Sequence, residues 1–514
     1  MNFMLLAGSF FALLELSTAF RMPIRRDYAP SPAFNFSNGA DPYNFGLVNS
    51  EGDLAVIYVG TIYVDDQPFE VQLDTGSGDL WVDGSGITFN NAENTHISGR
   101  LSYGDNSVVE GDIYIATVKF GDFTIDKQAF INTLATNATT GNDKGLLGIA
   151  PPSQSGIFRK LNNTGYNGAP LLENIFAAYP NESKILTMQL SRSDLGMVDG
   201  GVFTIGEIDS NFTAVTNSSK LEVIPTLNMW HTLMDGITVN GQYYSGHGNS
   251  TTRPANADPS SLVILLDSGT ASTTLPSYYV DLIYKNIPGV TTREDIPGLY
   301  QLPCDTKLNV SLIFAGQEYP IHPLDVIAVT SSDDDKTAIC VGTLQYSSTA
   351  DTRQDAILGD SFMRNVYSLF NLGNFTTGGD VNPYIQLLSV TSKDQAWLEF
   401  DTYNEKRINQ WKATKLNGTT TSTATPTPSA SVTVAGNVAA DDSTSTSTSP
   451  DLHTLLRNSY AIIGMLVVVL VLLFVVAVLL FRNHRNSRTY NPVGNPVSSL
   501  DYRRHSGYEK SYDS

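Results

Sequence analysis

The sequence predicts a mostly β protein built from two related halves. Short runs of apolar and β-branched residues recur between glycines and Asp-Gly or Asn-Gly turns, a pattern typical of antiparallel strands. Helical periodicity is sparse, with brief candidate helices at residues 171–179 and 277–287. Two segments of similar plan, one in each half, indicate a duplicated domain. The clearest strand candidates are residues 55–64, 69–73, 107–120, 262–266 and 325–329.

Composition excludes several functional classes. The chain has 514 residues, and its 51 acidic residues exceed its 31 basic residues by 20, which argues against nucleic acid as a partner. Two cysteines are too few for a disulfide-dense scaffold or a four-cysteine zinc site, and they suggest one disulfide. The chain contains neither His-Glu-x-x-His nor Gly-x-Ser-x-Gly, so zinc-protease and serine-hydrolase chemistry have no support. We expect no metal and no cofactor.

The N-terminus has the pattern of a secretory signal. Residues 4–19 form an apolar run that ends in Ser-Thr-Ala, so residues 1–19 are predicted to be a removed signal peptide. A buried core helix is the alternative, and the position at the extreme end of the chain disfavours it. Residues 20–50 are a short N-terminal segment or propeptide, and Arg25-Arg26 is a candidate cleavage point within it.

The C-terminal region has the pattern of a membrane anchor. Residues 461–481 carry no charge and as a helix would be about 30 Å long, which matches a bilayer core. We assign residues 459–481 to a transmembrane helix and residues 482–514, which begin with closely spaced arginines, to a cytosolic tail. Residues 406–458 are predicted to be a stalk, because residues 417–450 within this range are dominated by Ser and Thr with interspersed Pro. A removed lipid-anchor signal is the alternative, but it would end with its apolar tail.

Glycosylation sequons agree with passage through the secretory pathway. We therefore expect a monomeric, single-pass membrane protein whose body faces the cell exterior or the lumen of an acidic, vacuole-like organelle. The candidate sites are Asn35, Asn137, Asn162, Asn181, Asn211, Asn217, Asn249, Asn309, Asn374 and Asn417.

The candidate chemistry lies in the two similar segments. Each is an apolar strand that runs into an acidic turn, and each half also carries a later matching segment, at residues 145–150 and 356–362. The turn residues are Asp74, Thr75, Gly76 and Ser77 in the first half and Asp267, Ser268, Gly269 and Thr270 in the second.

An aspartate at the end of a buried strand is costly unless hydrogen-bond donors or a shared proton compensate for the lost water. Gly76 and Gly269 permit tight turns whose amides point back, and the hydroxyls of Ser77 and Thr270 can serve as donors. Two such turns that face each other would share one proton and hold a water molecule, as a general acid/base pair. The alternative is two ordinary β-turns, and the matched flanks disfavour it.

These motifs resemble the pepsin-like family of aspartic endopeptidases (family A1), in particular its membrane-anchored fungal-type members, over most of residues 55–400. The resemblance implies a bilobal fold, with lobes at residues 51–225 and 226–405 and the active-site cleft between them. It further implies that Asp74 and Asp267 are catalytic and that the other turn residues support them.

The resemblance also assigns residues outside the two turns. Tyr103 and Gly104 match the tip of the flap, the hairpin that closes over bound peptide, and Trp81 matches the usual hydrogen-bond partner of that tyrosine. Cys304 and Cys340 match the disulfide of the second lobe.

The flap departs from the family at Asp105 and Asn106, where a small hydroxyl residue and a glycine are more common. By analogy, Asp79 and Asp105 either favour basic substrate side chains or are solvated turn acids.

The function this implies is hydrolysis of peptide bonds at acidic pH without a covalent intermediate. The substrates are expected to be peptides or proteins in an extended conformation. Two alternatives stay open. One is an inactive surface glycoprotein of the same fold that binds peptides or glycans, and the other is an adhesion or wall-structural protein.

Overall fold

The computed structural model describes residues 20–28 and 56–418, apart from residues 105–106, 140–142, 193–200, 293–295, 332–336 and 348–351. All of these residues belong to one compact unit. The predicted signal peptide, transmembrane helix and cytosolic tail lie outside the described residues, as do most of the predicted stalk and most of the N-terminal segment. In the part of the chain that is described, no helix is long and apolar enough to cross a membrane.

Strands dominate the first half of the described chain. Its strands are β1 Phe20–Tyr28, β2 Val56–Val64, β3 Gln67–Asp74, β4 Leu80–Asp83, β5 Glu93–Ser102, β6 Val108–Phe120, β7 Phe123–Thr133, β8 Gly145–Gly148, β9 Ile185–Leu190, β10 Gly201–Ile205 and β11 Leu221–Glu222. Its α-helices are α1 Gly156–Leu161 and α2 Leu171–Ala178.

The second half is also mostly β. Its strands are β12 His231–Met234, β13 Gly236–Val239, β14 Gln242–Tyr244, β15 Leu262–Leu266, β16 Thr273–Leu275, β17 Thr291–Thr292, β18 Tyr300–Leu302, β19 Val310–Phe314, β20 Gln317–Ile321, β21 Ile327–Ser331, β22 Ala338–Gly342, β23 Leu344–Tyr346, β24 Ala356–Leu358, β25 Val366–Asn371 and β26 Tyr384–Ser389. Its α-helices are α3 Ser277–Tyr284, α4 Pro323–Val326, α5 Asp360–Met363 and α6 Lys393–Gly418.

The largest sheet connects the two halves through the backbone. Among the described residues it has 13 strands in the order β11-β26-β25-β9-β10-β1-β2-β3-β8-β4-β7-β6-β5. The pairing of β25 with β9 joins the second half to the first. Strand β1 lies between β10 and β2 and is antiparallel to both. The halves are therefore two lobes on a shared sheet, as the fold class predicts.

The duplication that the sequence predicts is also a duplication of strand pairing. In the first lobe β3 runs parallel to β8, with Asp74 opposite Gly148, and β4 is antiparallel to β8. In the second lobe β15 runs parallel to β24, with Leu266 opposite Leu358, and β16 is antiparallel to β24. Each acidic turn thus leaves a central strand at the equivalent point of its lobe.

One predicted strand is partly helical. Residues 325–329 were expected to be extended, but Pro323–Val326 form α4 and the strand begins at Ile327. A proline in the first turn favours the helix because its missing N–H needs no partner there. The Nδ1 of His322 also accepts a hydrogen bond from the Leu324 amide at 3.0 Å and so caps the helix. The sequence pattern does not reveal this cap.

The folded body continues beyond residue 405, into the segment predicted to be the stalk. Helix α6 runs to Gly418. Arg407 is buried and donates hydrogen bonds from Nη1 to the backbone oxygens of Leu324 and Ile327, at 2.9 and 3.0 Å. Trp411 is also buried and packs beside Cys340. These contacts fix the first part of the predicted stalk to the second lobe.

Candidate active site

The two acidic turns have the same internal geometry. In the first, the Gly76 amide donates to Asp74 Oδ1 at 2.7 Å. In the second, the Gly269 amide donates to Asp267 Oδ1 at 2.9 Å. Each carboxylate therefore accepts a hydrogen bond from the amide two residues further along the chain, which holds its inner oxygen in place.

The turns face each other, and the glycines allow the approach. A Cβ atom on Gly76 would lie 2.5 Å from Asp267 Oδ1, and one on Gly269 would lie 2.3 Å from Asp74 Oδ1. Neither distance is compatible with a side chain. The Cβ position on Gly269 is also only 3.1 Å from Asp267 Oδ1. Because it lies 2.3 Å from Asp74 Oδ1, the inner oxygens of the two carboxylates are at most about 5.4 Å apart. The structure brings Asp74 and Asp267 together.

Thr75 and Ser268 tie the two turns to each other. The Thr75 amide donates to Ser268 Oγ at 3.1 Å, and the Ser268 amide donates to Thr75 Oγ1 at 2.9 Å. Each hydroxyl then donates across the interface to a backbone oxygen, that of Leu266 at 2.9 Å and that of Leu73 at 2.7 Å. The two residues are 193 positions apart in the chain and both are fully buried. Their bonds fix the distance between the aspartates.

The outer oxygens of the two aspartates differ in their partners. Thr270 Oγ1 donates to Asp267 Oδ2 at 2.8 Å. Ser77 Oγ, its counterpart, is buried and has no hydrogen bond of ordinary geometry with a described residue. The Ser77 hydroxyl nevertheless lies near enough to Asp74 to lower the pKa of that carboxyl in part. The pair is thus asymmetric, because the outer oxygen of Asp267 accepts a hydrogen bond of ordinary geometry from its hydroxyl partner and that of Asp74 does not.

The pKa of Asp74 is raised well above its usual value. Burial is the main cause, since only 5% of the residue is exposed, and the nearby charge of Asp267 is the second. The hydrogen bonds from Ser77 and Gly76 offset part of this increase. Two close carboxyl groups in a partly buried site cannot both ionise at low cost, so one proton is retained on the pair.

The flap is the hairpin of β5 and β6. The Tyr103 amide donates to the Ser107 oxygen at 3.0 Å and closes the hairpin. Trp81 Nε1 donates to Tyr103 Oη at 2.7 Å, so the structure joins these two residues as the resemblance implies. A side chain on Gly104 would meet no atom within 4 Å, so packing does not require this glycine. Asp105 and Asn106 lie outside the described residues.

Neither prediction for Asp79 is correct. The residue is 4% exposed, so it is not a solvated turn acid, and both of its carboxylate oxygens are engaged by residues 155–157 rather than left for a basic substrate side chain. Its Oδ1 accepts hydrogen bonds from the Ser155 hydroxyl at 2.5 Å and the Ile157 amide at 3.0 Å, and its Oδ2 accepts from the Gly156 amide at 2.7 Å. Asp79 therefore caps the N-terminus of α1, a long-range contact that local sequence does not indicate.

Two glycines behind the acidic turns were recognised only as parts of matching flanks. A Cβ atom on Gly148 would lie 2.5 Å from the Asp79 nitrogen, and one on Gly359 would lie 2.1 Å from the Thr270 oxygen. Both glycines let a central strand pass close behind an acidic turn. Each glycine follows a leucine in the matching segments at residues 145–150 and 356–362, and this shared position is the sequence feature that could have identified both. Gln72 was not anticipated, and its Nε2 donates to the Gly269 oxygen at 3.2 Å.

The disulfide prediction is confirmed. Cys304 and Cys340 are bonded, with an S–S distance of 2.04 Å.

The sequons are largely at the surface of the described chain, although glycosylation itself stays a prediction. Asn309 is half-buried, the side chain of Asn417 is not described, and Asn35 lies outside the described residues. The exposed sites are Asn137, Asn162, Asn181, Asn211, Asn217, Asn249 and Asn374.

Comparison with known proteins agrees with this site. Residues 54–379 match the family described as eukaryotic aspartyl protease, and this range covers more than half of the chain. The chain therefore belongs to the pepsin-like aspartyl protease family. The matched range contains both acidic turns, the flap and the two cysteines.

Fungal aspartic proteases are among its relatives. The chain is 25% identical to major aspartyl peptidase 1 of Cryptococcus neoformans var. grubii, over 59% of this chain and 64% of that protein. It is 26% identical to the vacuolar aspartic protease of Candida albicans, over 67% of this chain and 85% of that protein. It is also 26% identical to endothiapepsin of Cryphonectria parasitica, over 59% and 70% respectively. The Cryptococcus match thus spans less than two thirds of that relative.

Proposed function

We propose that this protein is an aspartic endopeptidase that cleaves peptide bonds at acidic pH. The observation that supports this most directly is the convergence of Asp74 and Asp267 across the two lobes, with glycine at the two points where any side chain would separate them. The names of its relatives, which include peptidases and endopeptidases, agree with the proposal.

The asymmetry of the pair suggests a role for each aspartate. Asp74, with its raised pKa, retains the shared proton, and Asp267, whose Oδ2 accepts a hydrogen bond from the Thr270 hydroxyl, is the better placed to act as the base. Asp267 would then accept a proton from a water molecule held between the carboxylates as that water attacks the substrate carbonyl carbon. Asp74 would donate its proton to the carbonyl oxygen. The tetrahedral gem-diol would collapse as Asp267 passes the proton taken from the water to the leaving nitrogen and a hydroxyl of the gem-diol returns a proton to Asp74. The C–N bond breaks without an acyl-enzyme, and the pair regains its single proton.

Tyr103 and Trp81 would support the reaction from the flap. Their hydrogen bond holds the tyrosine ring at the tip of the β5–β6 hairpin. A flap in this position can cover an extended peptide and exclude water from the reacting bond. Main-chain hydrogen bonds to such a peptide would supply affinity, and the pockets for alternate side chains would supply preference.

The proposal extends to the rest of the chain. Residues 51–225 and 226–405 are proposed as the two catalytic lobes, although α6 continues the second lobe to Gly418. The charge-free run at residues 461–481 and the arginines after it favour a single-pass anchor with the catalytic body in the lumen or outside the cell. One relative is named a vacuolar protease, which is compatible with an acidic organelle. Alkaline carbonate extraction of membranes tests the anchor, because an anchored chain stays in the pellet.

Digestion of an unstructured protein by the full-length chain tests the activity. We expect cleavage at internal peptide bonds between about pH 3 and 5, with loss of activity above neutrality as the retained proton dissociates. An optimum above neutrality contradicts the acid/base pair. Tight binding of peptides with no cleavage at any pH would instead favour the inactive binding protein.

A further inference from the structure

A pocket of about 330 Å³ opens beside the flap, between strand β5 and helix α1. Its apolar lining comes from three elements, with Leu101 on β5, Ile131 on β7 and Ile157 on α1. It is separate from the acidic turns, and none of the eight turn residues lines it.

The pocket is connected to the flap tip by packing. Leu101 and Tyr103 are two positions apart on one edge of the hairpin, and alternate residues of a strand lie on the same face. Both pack against the hydrophobic cluster that contains Trp81 and Ile157. The pocket therefore shares a hydrophobic wall with the flap tyrosine, which the proposed function places over bound peptide.

Two cations of α1 line the pocket, Arg159 and Lys160. Arg159 Nη1 donates to the Ser153 oxygen at 3.0 Å, which leaves most of its donors for another partner. Its Nη2 lies 3.9 Å from the position of a Cβ on Gly156, so the guanidinium folds back over the start of the helix. Lys160 makes no hydrogen bond or ion pair within the described part of the chain.

Two other charged groups near the pocket, Arg100 and Asp79, already have partners in the fold. Arg100 contributes to the lining, but its guanidinium is 2.7 Å from Glu110 on the neighbouring strand. Asp79 lies beneath Gly156 and is engaged by the Ser155 hydroxyl and by the first amides of α1. The first turn of α1 is thus occupied, and Arg159 and Lys160 are the groups left to meet a ligand.

We propose that this pocket binds an acidic side chain of the peptide substrate, with glutamate as the best fit. The methylenes of glutamate would pack on Leu101, Ile131 and Ile157, and its carboxylate would reach the two cations. This rests on the proposed function and adds a substrate class to it. A preference for acidic side chains is the opposite of the preference for basic side chains expected from Asp79. The Asp79 carboxylate instead accepts hydrogen bonds at the start of α1.

Paired peptides test the proposal. Each pair would differ only by Glu or Gln at one position, with pairs for four positions on each side of the cleaved bond. We would measure kcat/KM with the full-length protein at about pH 5, where glutamate is mostly ionised. We expect the Glu peptide to be preferred about three- to five-fold at one position. The preference should fall towards one at pH 3, where glutamate is protonated. Arg159→Gln/Lys160→Gln should abolish the Glu preference at about pH 5.

Lys127→Gln/Lys412→Gln is the matched control, since it removes the same charge from exposed sites and should keep the Glu preference. If the double pocket variant melts early, Lys160→Gln alone should still reduce the preference at least two-fold. Equal rates for Glu and Gln at every position overturn this proposal alone, as does a preference that survives the pocket variants. If no peptide is cleaved at any pH, the proposed function fails and this proposal with it.

Discussion

Thr75 and Ser268 exchange reciprocal hydrogen bonds between the two lobes, each amide donating to the hydroxyl of the other residue. The lobes pack against each other over a wider area, but this pair acts directly behind the two aspartates. Because each hydroxyl also donates to a backbone oxygen of the opposite lobe, removing one hydroxyl leaves two buried groups without a partner.

Thr75→Val should lower both stability and activity. The substitution keeps the shape of the side chain but leaves the Ser268 amide and the Leu266 oxygen unpaired, at a cost of about 1–3 kcal/mol. We expect a lower unfolding free energy in denaturant titrations and a reduced kcat at acidic pH. Thr291→Val, at an exposed position on β17, is the control and should change neither. Full activity in Thr75→Val would contradict the role of this bond in spacing the aspartates.

Asp325 is the centre of a buried ionic cluster. Its Oδ2 accepts from Arg192 Nε at 2.6 Å and its Oδ1 from Arg364 Nε at 2.8 Å. Asp325→Asn would leave two buried arginines short of a counter-charge, so we expect a loss of about 3–5 kcal/mol in unfolding free energy. Asp66→Asn, which breaks an exposed pair with Lys119, should change the unfolding free energy far less, because water and salt screen this pair. Similar losses in the two variants would contradict this account.

The same cluster predicts how stability depends on pH. Burial raises the pKa of Asp325, but Arg192 and Arg364 outweigh it, and the net pKa lies below its usual value. A carboxyl group whose pKa is lower in the folded than in the unfolded chain stabilises the fold fully at pH values above its pKa in the unfolded chain. This stabilisation is lost as the pH falls through its pKa in the folded chain. The cluster therefore stays intact across the acidic range in which the enzyme is proposed to work.

His322 should instead reduce stability in acid. Burial, with a contribution from Arg192, lowers the pKa of His322 to about 4. Since its unfolded pKa is about 6.5, the unfolded chain binds the proton first, so stability falls as the pH drops from about 6.5 to 4, by at most about 3 kcal/mol. His322→Gln should flatten the unfolding free energy over this window, whereas exposed His247→Gln should not. An unchanged slope in His322→Gln would refute the assignment.

The raised pKa of Asp74 makes stability depend on pH in the opposite direction to His322, so that stability is lost as the pH rises. The folded state holds this proton more tightly than the unfolded chain, so the stabilisation is complete below the unfolded pKa and is lost as the pH rises through the folded pKa. Asp74→Asn removes the titration. We therefore expect the melting temperature of this variant, relative to the wild type, to be higher at pH 7.5 than at pH 4. An equal difference at both pH values would show that Asp74 titrates normally.

The sequence was sufficient for the fold class and for the paired aspartates because both leave a repeated local pattern. An apolar strand that ends in Asp-x-Gly, with a matching strand behind it, occurs in each half, and the pairing of β3 with β8 and of β15 with β24 follows from that repeat. The family resemblance supplied the contact between Trp81 and Tyr103 and the disulfide.

What the sequence did not predict depends on contacts between distant segments. Asp79 caps a helix more than seventy residues away, and nothing in its neighbourhood distinguishes that role from a solvated turn. The length of α6 could not be anticipated, because Arg407 and Trp411 are buried only through packing against the second lobe. Polar residues in a mostly polar segment next to a Ser/Thr-rich region look solvated until a partner surface is known.

The central claim is that Asp74 and Asp267 act as one catalytic unit, and single and double substitutions test it most directly. The measurement is kcat/KM of the full-length protein on an unstructured substrate at acidic pH, with Asp401→Asn, at an exposed site, as the charge control. We predict that Asp74→Asn and Asp267→Asn each lose about 1,000-fold or more and that the double variant loses no more than either alone, because the residues share one proton. Retention of more than about a tenth of the activity in either single variant, or losses that multiply in the double variant, would contradict the account.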